Sequence, residues 1–237
     1  MLLALWSPKG GSGTSVVAAA VALVAAGRGE TRLADLGGDQ PAILGLPLFP
    51  ADSGPSDGLA DWLAAGPSTP TEWLDEMAVP VVPGLALLPR GPGAVAGPSP
   101  EAGAALAVVL RDGGVAVLDA GSGHDHGGAL RAAIEVADTA LMVIRPCYLA
   151  LRRAVGDPRL ARSAGAILVE DPGRALDAAD VAAVLGVPVV ARIPVRAEIA
   201  RAVDAGVLRD RLPNPLASSA GVVLDRLAGL AGGRWAA

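Results

Sequence analysis

The chain has 237 residues, which suits one large α/β domain with a substantial core. A net charge of −5 and only 3% aromatic residues argue against a nucleic-acid binder that works through positive charge or base stacking. No apolar run reaches the roughly 18 residues that span a bilayer, and the single cysteine, Cys147, cannot form an internal disulfide. Because no basic segment precedes an apolar core at the N-terminus, we expect a cytoplasmic protein, with membrane contact at most peripheral at the inner face.

The first 26 residues predict a strand, a glycine-rich turn and a helix. The apolar run at 1–6 is typical of a buried strand, and the Ala/Val-rich run at 16–26 is typical of a helix. The turn between them reads Ser-Pro-Lys-Gly-Gly-Ser-Gly-Thr-Ser, at 7–15. This arrangement presents backbone N–H groups and a helix N-terminus to a phosphate, and its glycines allow close approach of an anion. We predict a phosphate-binding loop; the alternative is a glycine-rich turn that binds nothing.

The turn contains only part of the Walker A pattern, G-x-x-x-x-G-K-[ST]. Gly13 and Ser15 match its last glycine and its hydroxyl, and the hydroxyl is the expected Mg²⁺ ligand. Thr14 stands at the lysine position, and Pro8 stands at the first glycine position. Lys9 is the only lysine in the chain, since every other basic residue is an arginine. The loop therefore keeps a cation, but near its start.

Residues 9–15, read as Lys-Gly-Gly-x-Gly-x-[Ser/Thr], resemble the deviant Walker A motif of the ParA/MinD superfamily. In that superfamily the early lysine reaches across a nucleotide-sandwich dimer to the partner's phosphates, which would make Lys9 a catalytic residue. The resemblance implies a P-loop NTPase that binds ATP as a homodimer. It assigns nucleotide binding in this loop to Lys9, Gly10, Gly11, Ser12, Gly13, Thr14 and Ser15.

The next predicted strand, at 31–36, carries Asp35 near its C-terminal end. A carboxylate at that end of a parallel strand, beside a phosphate loop, is placed to act on Mg²⁺ or on a water. The stretch resembles the Asp-x-Asp motif of the superfamily, with Gly37 replacing the second, water-positioning aspartate. Asp39 lies two residues further on as a candidate substitute. We predict catalytic roles for Asp35 and Asp39; the alternative is that they only close a turn.

The middle of the chain alternates short helices, strands and loops. Two tryptophans, Trp62 and Trp73, are expected to pack in the core. Proline and glycine divide the elements from one another. The predicted elements are a loop at 49–56, helices at 57–65 and 69–77, two strands or a hairpin at 79–82 and 85–89, a Gly/Pro-rich surface loop at 90–99, and a helix at 100–111.

A fully apolar strand at 114–119 ends in Asp119. Together with Gly123 it resembles Walker B and switch II, which implies that Asp119 holds Mg²⁺ through a water and that Gly123 lets the loop sense a γ-phosphate. His124, Asp125 and His126 follow, a combination that could bind a metal, but no cysteine or further clear ligand stands nearby. We expect no transition-metal site there, only polar residues of the switch.

The C-terminal half again alternates strand and helix. The run RPCYLALRRA at 145–154 and the segments after it resemble CpaE/TadZ-like proteins, a branch of the same superfamily. Glu170 stands where the superfamily often has an adenine-reading asparagine, and Pro172 and Arg174 are candidates for the wall of the base pocket. The predicted elements are strands at 139–145, 164–169 and 187–194, a helix that opens at 146–153, helices at 177–185 and 197–205, a final helix at 217–230 that covers the sheet rather than binding a membrane, and a short tail at 231–237.

Together these segments predict an α/β fold, a doubly wound and mostly parallel sheet with helices on both faces, in one domain over 1–237. The resemblance implies a nucleotide-dependent dimeric positioning factor for a Tad-type pilus or secretion machinery, or alternatively for a chromosome or septum. Thr14, Gly37 and Glu170 depart from the superfamily pattern. They predict at most a weak ATPase, because losing one phosphate-binding cation can cost a factor of about 10³ in phosphoryl transfer.

Two other hypotheses remain beside that one. A scaffold of the same fold could keep the dimer and no longer bind nucleotide. A metabolic enzyme of the same fold is disfavoured. An enzyme similar to the nitrogenase iron protein needs several cysteines to bind its metal cluster, and the chain has only Cys147.

Overall fold

The computed structural model describes residues 1–47, 58–92, 99–112, 114–122 and 128–230. Several sequence predictions fall outside the described residues. They are the loop at 49–56, most of the loop at 90–99, Gly123, His124, His126 and the tail at 231–237.

Within the described ranges, eight strands form one sheet in the order β3-β4-β2-β5-β1-β6-β7-β8. All neighbouring strands are parallel except β3 and β4, which form an antiparallel hairpin at one edge. The strands are β1 Leu2–Trp6, β2 Thr31–Asp35, β3 Val79–Val82, β4 Leu85–Leu88, β5 Val115–Asp119, β6 Thr139–Ile144, β7 Ser163–Glu170 and β8 Val189–Pro194.

Helices connect these strands and cover both faces of the sheet. A 3₁₀ turn at Pro158–Arg162 precedes β7. The α-helices are α1 Thr14–Ala26, α2 Gln40–Ile43, α3 Leu59–Ala65, α4 Glu72–Glu76, α5 Pro100–Asp112, α6 Ala129–Val136, α7 Tyr148–Val155, α8 Ala178–Leu185, α9 Ala197–Asp204 and α10 Asn214–Leu230.

Strand β1 lies in the middle of the sheet and is buried on both faces, which explains its unbroken apolar sequence. Its side chains alternate between two hydrophobic cores. Leu3 and Leu5 belong to the core that includes α1 and α10. Leu2 and Trp6 belong to the core that includes α5, α6 and α8. The doubly wound, mostly parallel sheet predicted from the sequence is therefore confirmed.

The element boundaries differ from the sequence predictions in a few places. Helix α1 begins two residues early, at Thr14, because Gly13 turns the chain with a φ of 92° and its carbonyl accepts the Val17 N–H. Helix α4 is shorter than predicted, and α2 was not predicted because four residues carry too little periodicity. Helix α10 packs against α1 and β8, as expected for a helix that covers the sheet.

Candidate functional site

The candidate site lies at the carboxyl ends of four adjacent strands, β4, β2, β5 and β1. In open α/β sheets this edge is the usual place for ligands. Asp35 and Asp119 are direct neighbours in the parallel pairing of β2 with β5, and Leu5 of β1 pairs with Asp119 on its other side. Arg90 follows β4 by two residues. Residues that are far apart in sequence thus meet at one edge.

The glycine-rich loop at 7–13 joins β1 to α1 and is held by hydrogen bonds at both ends. The Ser7 N–H donates to the Gly121 carbonyl, and the Ser12 hydroxyl donates to the Lys9 carbonyl at 2.7 Å. Gly11 and Gly13 have φ values of 75° and 92°, which residues with a β-carbon rarely adopt. The sequence therefore needs glycine at these two positions to shape the turn.

A cavity of about 830 Å³ opens at this edge, and its wall is formed by the glycine-rich loop and by the segments that follow β2, β4 and β5. Its size suits a nucleotide-sized ligand. The loop supplies Gly11, Ser12, Gly13, Thr14 and Ser15, and the neighbouring strand ends supply Gly37, Asp39, Arg90, Gly121 and Ser122.

Asp35 is fully buried at the end of β2. Its carboxylate accepts the N–H groups of Gly38 and Gln40, so it closes the turn after the strand. Burial, and after it repulsion by the Asp119 carboxylate, raise the pKa of Asp35 to about 7. The two backbone hydrogen bonds and the charge of Arg90 oppose that rise. The turn-closing role is thus observed, and the predicted catalytic role stays a prediction.

Asp119 is also fully buried, and three groups donate to its carboxylate. They are the Gly121 N–H at 3.0 Å, the Gln40 side-chain amide at 2.8 Å and the Ser15 side chain. Burial raises the pKa of Asp119 above its usual value, although the three hydrogen bonds lower it. Asp39 is exposed and raises the pKa of Asp119 by repulsion. The site therefore holds closely spaced acidic groups.

Gln40 is a site residue that the sequence did not reveal. Its side chain is fully buried, and its amide nitrogen donates to the Ser15 carbonyl at 2.9 Å as well as to Asp119. Its amide oxygen has no hydrogen-bond partner among the described residues. Gln40 thus joins the phosphate loop to β5. No local sequence pattern indicates this role for Gln40, because its contact with Asp119 depends on the order of the strands in the sheet.

We expect Gln40→Leu to lower the free energy of unfolding by about 1–3 kcal/mol, because Asp119 would lose a buried donor while its other neighbours stay in place. Denaturation by urea measures this loss. The matched control is Gln40→Glu, which keeps the shape but adds a third buried acid beside Asp35 and Asp119; it should lose more stability at pH 8 than at pH 5. Equal losses at both pH values would show that Gln40 acts through packing alone.

Arg90 is the second site residue that the sequence did not reveal, because its residue range was assigned to a surface loop. Its Nη1 donates to the Gly37 carbonyl at 3.0 Å. The guanidinium lies over Gly38, where an added β-carbon would be 2.3 Å from Cζ. An arginine directly after an apolar strand is the only signal that could have indicated it, and that signal is weak.

Lys9 does not line this cavity. It lines a second one, of about 590 Å³, together with Arg152, Arg153 and Arg159. Its ammonium group donates to the carbonyl of its neighbour Gly10 at 3.1 Å. None of the contacts of Lys9 with the described residues holds it against the phosphate cavity, and its predicted contact with a partner's phosphates stays a prediction.

The predicted base-pocket residues lie at the end of β7, beside the loop but outside the wall of the larger cavity. Glu170 pairs with Arg192 at 3.4 Å, and Arg174 pairs with Asp171 at 3.0 Å. Pro172 lies in the same turn. An added β-carbon at Gly13 would be 3.9 Å from Val169, so the end of β7 adjoins the phosphate loop. The roles of Glu170, Pro172 and Arg174 stay predictions.

The donor set fits Mg²⁺, which prefers oxygen ligands and keeps several waters. The Ser15 side chain donates to the buried Asp119 carboxylate, and Ser15 itself lines the cavity. Burial first, and repulsion between carboxylates after it, raise the pKa values of Asp35 and Asp119, and a divalent cation would favour their charged forms. Within the described ranges, no three His, Cys, Asp or Glu side chains gather as ligands of a metal ion. Water and phosphate oxygens would therefore supply the other ligands.

No helix in the described part of the chain is long and apolar enough to cross a membrane.

Comparison with solved structures identifies the fold. The chain is similar to a ParA family ATPase from Chlorobium tepidum, with 23% identity, a TM-score of 0.72, and 92% of this chain and 96% of that chain covered. It is similar to the septum site-determining protein MinD from Pyrococcus horikoshii in complex with Mg-ADP, with 19% identity, a TM-score of 0.75 and 98% of each chain covered. It is also similar to a chain of the MinC:MinD cell division protein complex of Aquifex aeolicus, with 20% identity and a TM-score of 0.72; the match covers 96% of this chain and 95% of that chain.

No protein-family profile matches the chain, and no curated protein matches it. At identities below 25%, the structural likeness establishes the fold and not an activity. The fold is that of the ParA/MinD group of P-loop NTPases.

Proposed function

We propose that this chain is a nucleotide-dependent switch of the ParA/MinD type, with weak or absent hydrolysis. The observation that carries the proposal is the glycine-rich loop, whose backbone and α1 N-terminus border a cavity large enough for a nucleotide. Ser15 and Asp119 stand together where a Mg²⁺ ion would neutralise the phosphates. The similar MinD from P. horikoshii is complexed with Mg-ADP, which supports this choice of ligand.

Weak hydrolysis follows from what the site lacks. Thr14 supplies no charge at the lysine position, and its side chain is buried. Gly37 supplies no carboxylate next to Asp119. A bound nucleotide would therefore lack the lysine and the second aspartate of the superfamily pattern, and Asp39, which lines the cavity, would be the remaining candidate to position the attacking water. Such a site suits slow switching better than rapid turnover.

The biological task we propose is positioning of a protein machinery by a homodimer, with Lys9 reaching the partner's nucleotide. The resemblance of residues 145–154 to CpaE/TadZ-like proteins favours a Tad-type pilus or secretion machinery. The MinD of A. aeolicus forms a complex with MinC, which supports a protein partner of some kind. Septum or chromosome positioning is the second candidate, favoured by the MinD and ParA likeness.

Calorimetry with ATP and Mg²⁺ on the full chain tests nucleotide binding. The informative variant is Gly11→Ala, since an added β-carbon there has no atom of the described residues, apart from its chain neighbours, within 4 Å and would project toward a bound ligand. We expect it to weaken ATP binding at least about ten-fold. Gly186→Ala is the matched control, because φ there is 69° in the left-handed region, no described atom lies within 4 Å of an added β-carbon, and Gly186 lies outside the cavity wall.

Both variants should lose about 1–2 kcal/mol of stability from backbone strain. Equal ATP affinity in the two would contradict binding by the loop. If the wild-type chain shows no binding heat at millimolar nucleotide, the switch proposal is excluded, and a scaffold that binds no nucleotide is the hypothesis that survives.

A further inference from the structure

The phosphate cavity has lost the cation that its loop would normally supply. The lysine position is occupied by Thr14, and Lys9 lines a different cavity. Of the described residues that line the phosphate cavity, Arg90 alone carries a positive charge. Polyphosphate binding needs such a charge, particularly in a site with three aspartates.

The guanidinium of Arg90 is held in place and is not a loose surface group. Its Nη1 donates to the Gly37 carbonyl, and its Nε is buried without a hydrogen-bond partner among the described residues. A fixed guanidinium of this kind loses little freedom when it binds a phosphate.

Two glycines make room for it. A β-carbon on Gly38 would lie 2.3 Å from Arg90 Cζ, and φ at Gly38 is 91°, so only glycine fits there. The Gly37 carbonyl is its hydrogen-bond acceptor. Gly37 therefore stands where the superfamily motif has its second aspartate, and Gly38 leaves the space that the Arg90 guanidinium occupies.

We propose that Arg90 is the phosphate-binding cation of this chain, supplied in cis from the end of β4 in place of the missing loop lysine. Guanidinium groups match phosphate oxygens through paired N–H donors. Arg90 follows β4 and the glycine-rich loop follows β1, and β2 and β5 lie between these two strands. Arg90 therefore binds the di- or triphosphate of the nucleotide from the β4 side of the cavity, and the loop backbone binds it from the β1 side. This inference rests on the proposed nucleotide binding.

The test measures ATP, ADP and AMP affinities by calorimetry on the full chain, for wild type, Arg90→Ala and Arg90→Gln. Glutamine keeps a polar, hydrogen-bonding side chain but carries no charge. We expect both variants to weaken ATP binding about ten-fold to a hundred-fold and AMP binding much less, because a charged hydrogen bond to the outer phosphates is lost. Arg28→Ala is the control, since Arg28 pairs with Asp225 and lies outside the cavity wall.

A second variant separates a missing charge from a damaged fold. Thr14→Lys returns the cation to the loop, and in the Arg90→Ala background we expect it to recover most of the lost ATP affinity. A merely structural role for Arg90 would not be rescued in this way.

The outcomes distinguish the two proposals. If wild type binds no nucleotide, both the proposed function and this assignment fall. If wild type binds ATP and Arg90→Gln binds it equally well, only the assignment of Arg90 falls. A loss of ATP and AMP affinity in equal measure, with no rescue by Thr14→Lys, also overturns it.

Discussion

Gly37→Asp, the change that restores the second aspartate of the superfamily motif, is expected to destabilise the protein in the absence of a divalent cation. A β-carbon at position 37 would lie 3.1 Å from Asp119 Oδ2 and 3.3 Å from Ser15 Oγ. The new carboxylate would join two buried acids that already repel each other. We expect a loss of about 3–4 kcal/mol, which lowers Tm by roughly 6–16 °C for a chain of this size.

Mg²⁺ is expected to reverse much of this loss, because binding to the folded state alone stabilises it. Gly37→Asn is the matched control, since it has the same shape without the charge. It should lose only about 1 kcal/mol from crowding and show no added response to Mg²⁺. Thermal unfolding with Mg²⁺ or with EDTA measures both variants. An identical Tm for Asp and Asn under each condition would refute the placement of Mg²⁺ between Ser15 and Asp119.

Gly103→Ala is expected to cause the largest loss of stability, more than about 3 kcal/mol. Gly103 lies inside α5, where alanine would ordinarily favour the helix by about 1 kcal/mol. Its added β-carbon, however, would be 2.0 Å from the Ala129 carbonyl oxygen and 2.6 Å from the Ala129 Cα at the start of α6. Backbone atoms cannot move aside cheaply, so the clash outweighs the helix preference.

Gly221→Ala provides the comparison within another helix. Gly221 lies inside α10, and an added β-carbon there meets nothing within 4 Å. We expect this variant to gain about 0.5–1 kcal/mol. Urea denaturation of both variants measures the contrast in sign. A gain of stability in both would mean that α5 and α6 are not packed as closely as the structure has them.

The Gly103 contact bears on the site because α6 follows the predicted switch region and begins at Ala129. Leu130, in its first turn, lines the phosphate cavity. The close approach of α5 therefore fixes the start of α6 beside the nucleotide cavity. A looser contact between α5 and α6 would therefore first displace Leu130 in the cavity wall.

The amino-acid sequence by itself determined the strands, most of the helices and the phosphate loop, because these depend on local patterns. Apolar strands such as β1 and β5 stand out as short unbroken runs, and the loop is marked by glycines at required positions. It also placed Asp35 and Asp119 at strand ends. Those two residues are brought together at one edge, as the parallel arrangement demands.

Only the tertiary structure decided which residues share the cavity. Arg90 carries only a weak local signal and Gln40 carries none. Each reaches the site because β4, β2, β5 and β1 are adjacent in the sheet although they are distant in sequence. For Lys9 the motif predicted a contact with a partner's phosphates, and the structure of one chain adds that Lys9 lines a different cavity from the rest of the loop. Strand order is set by the packing of whole elements into two cores, and no short motif encodes it.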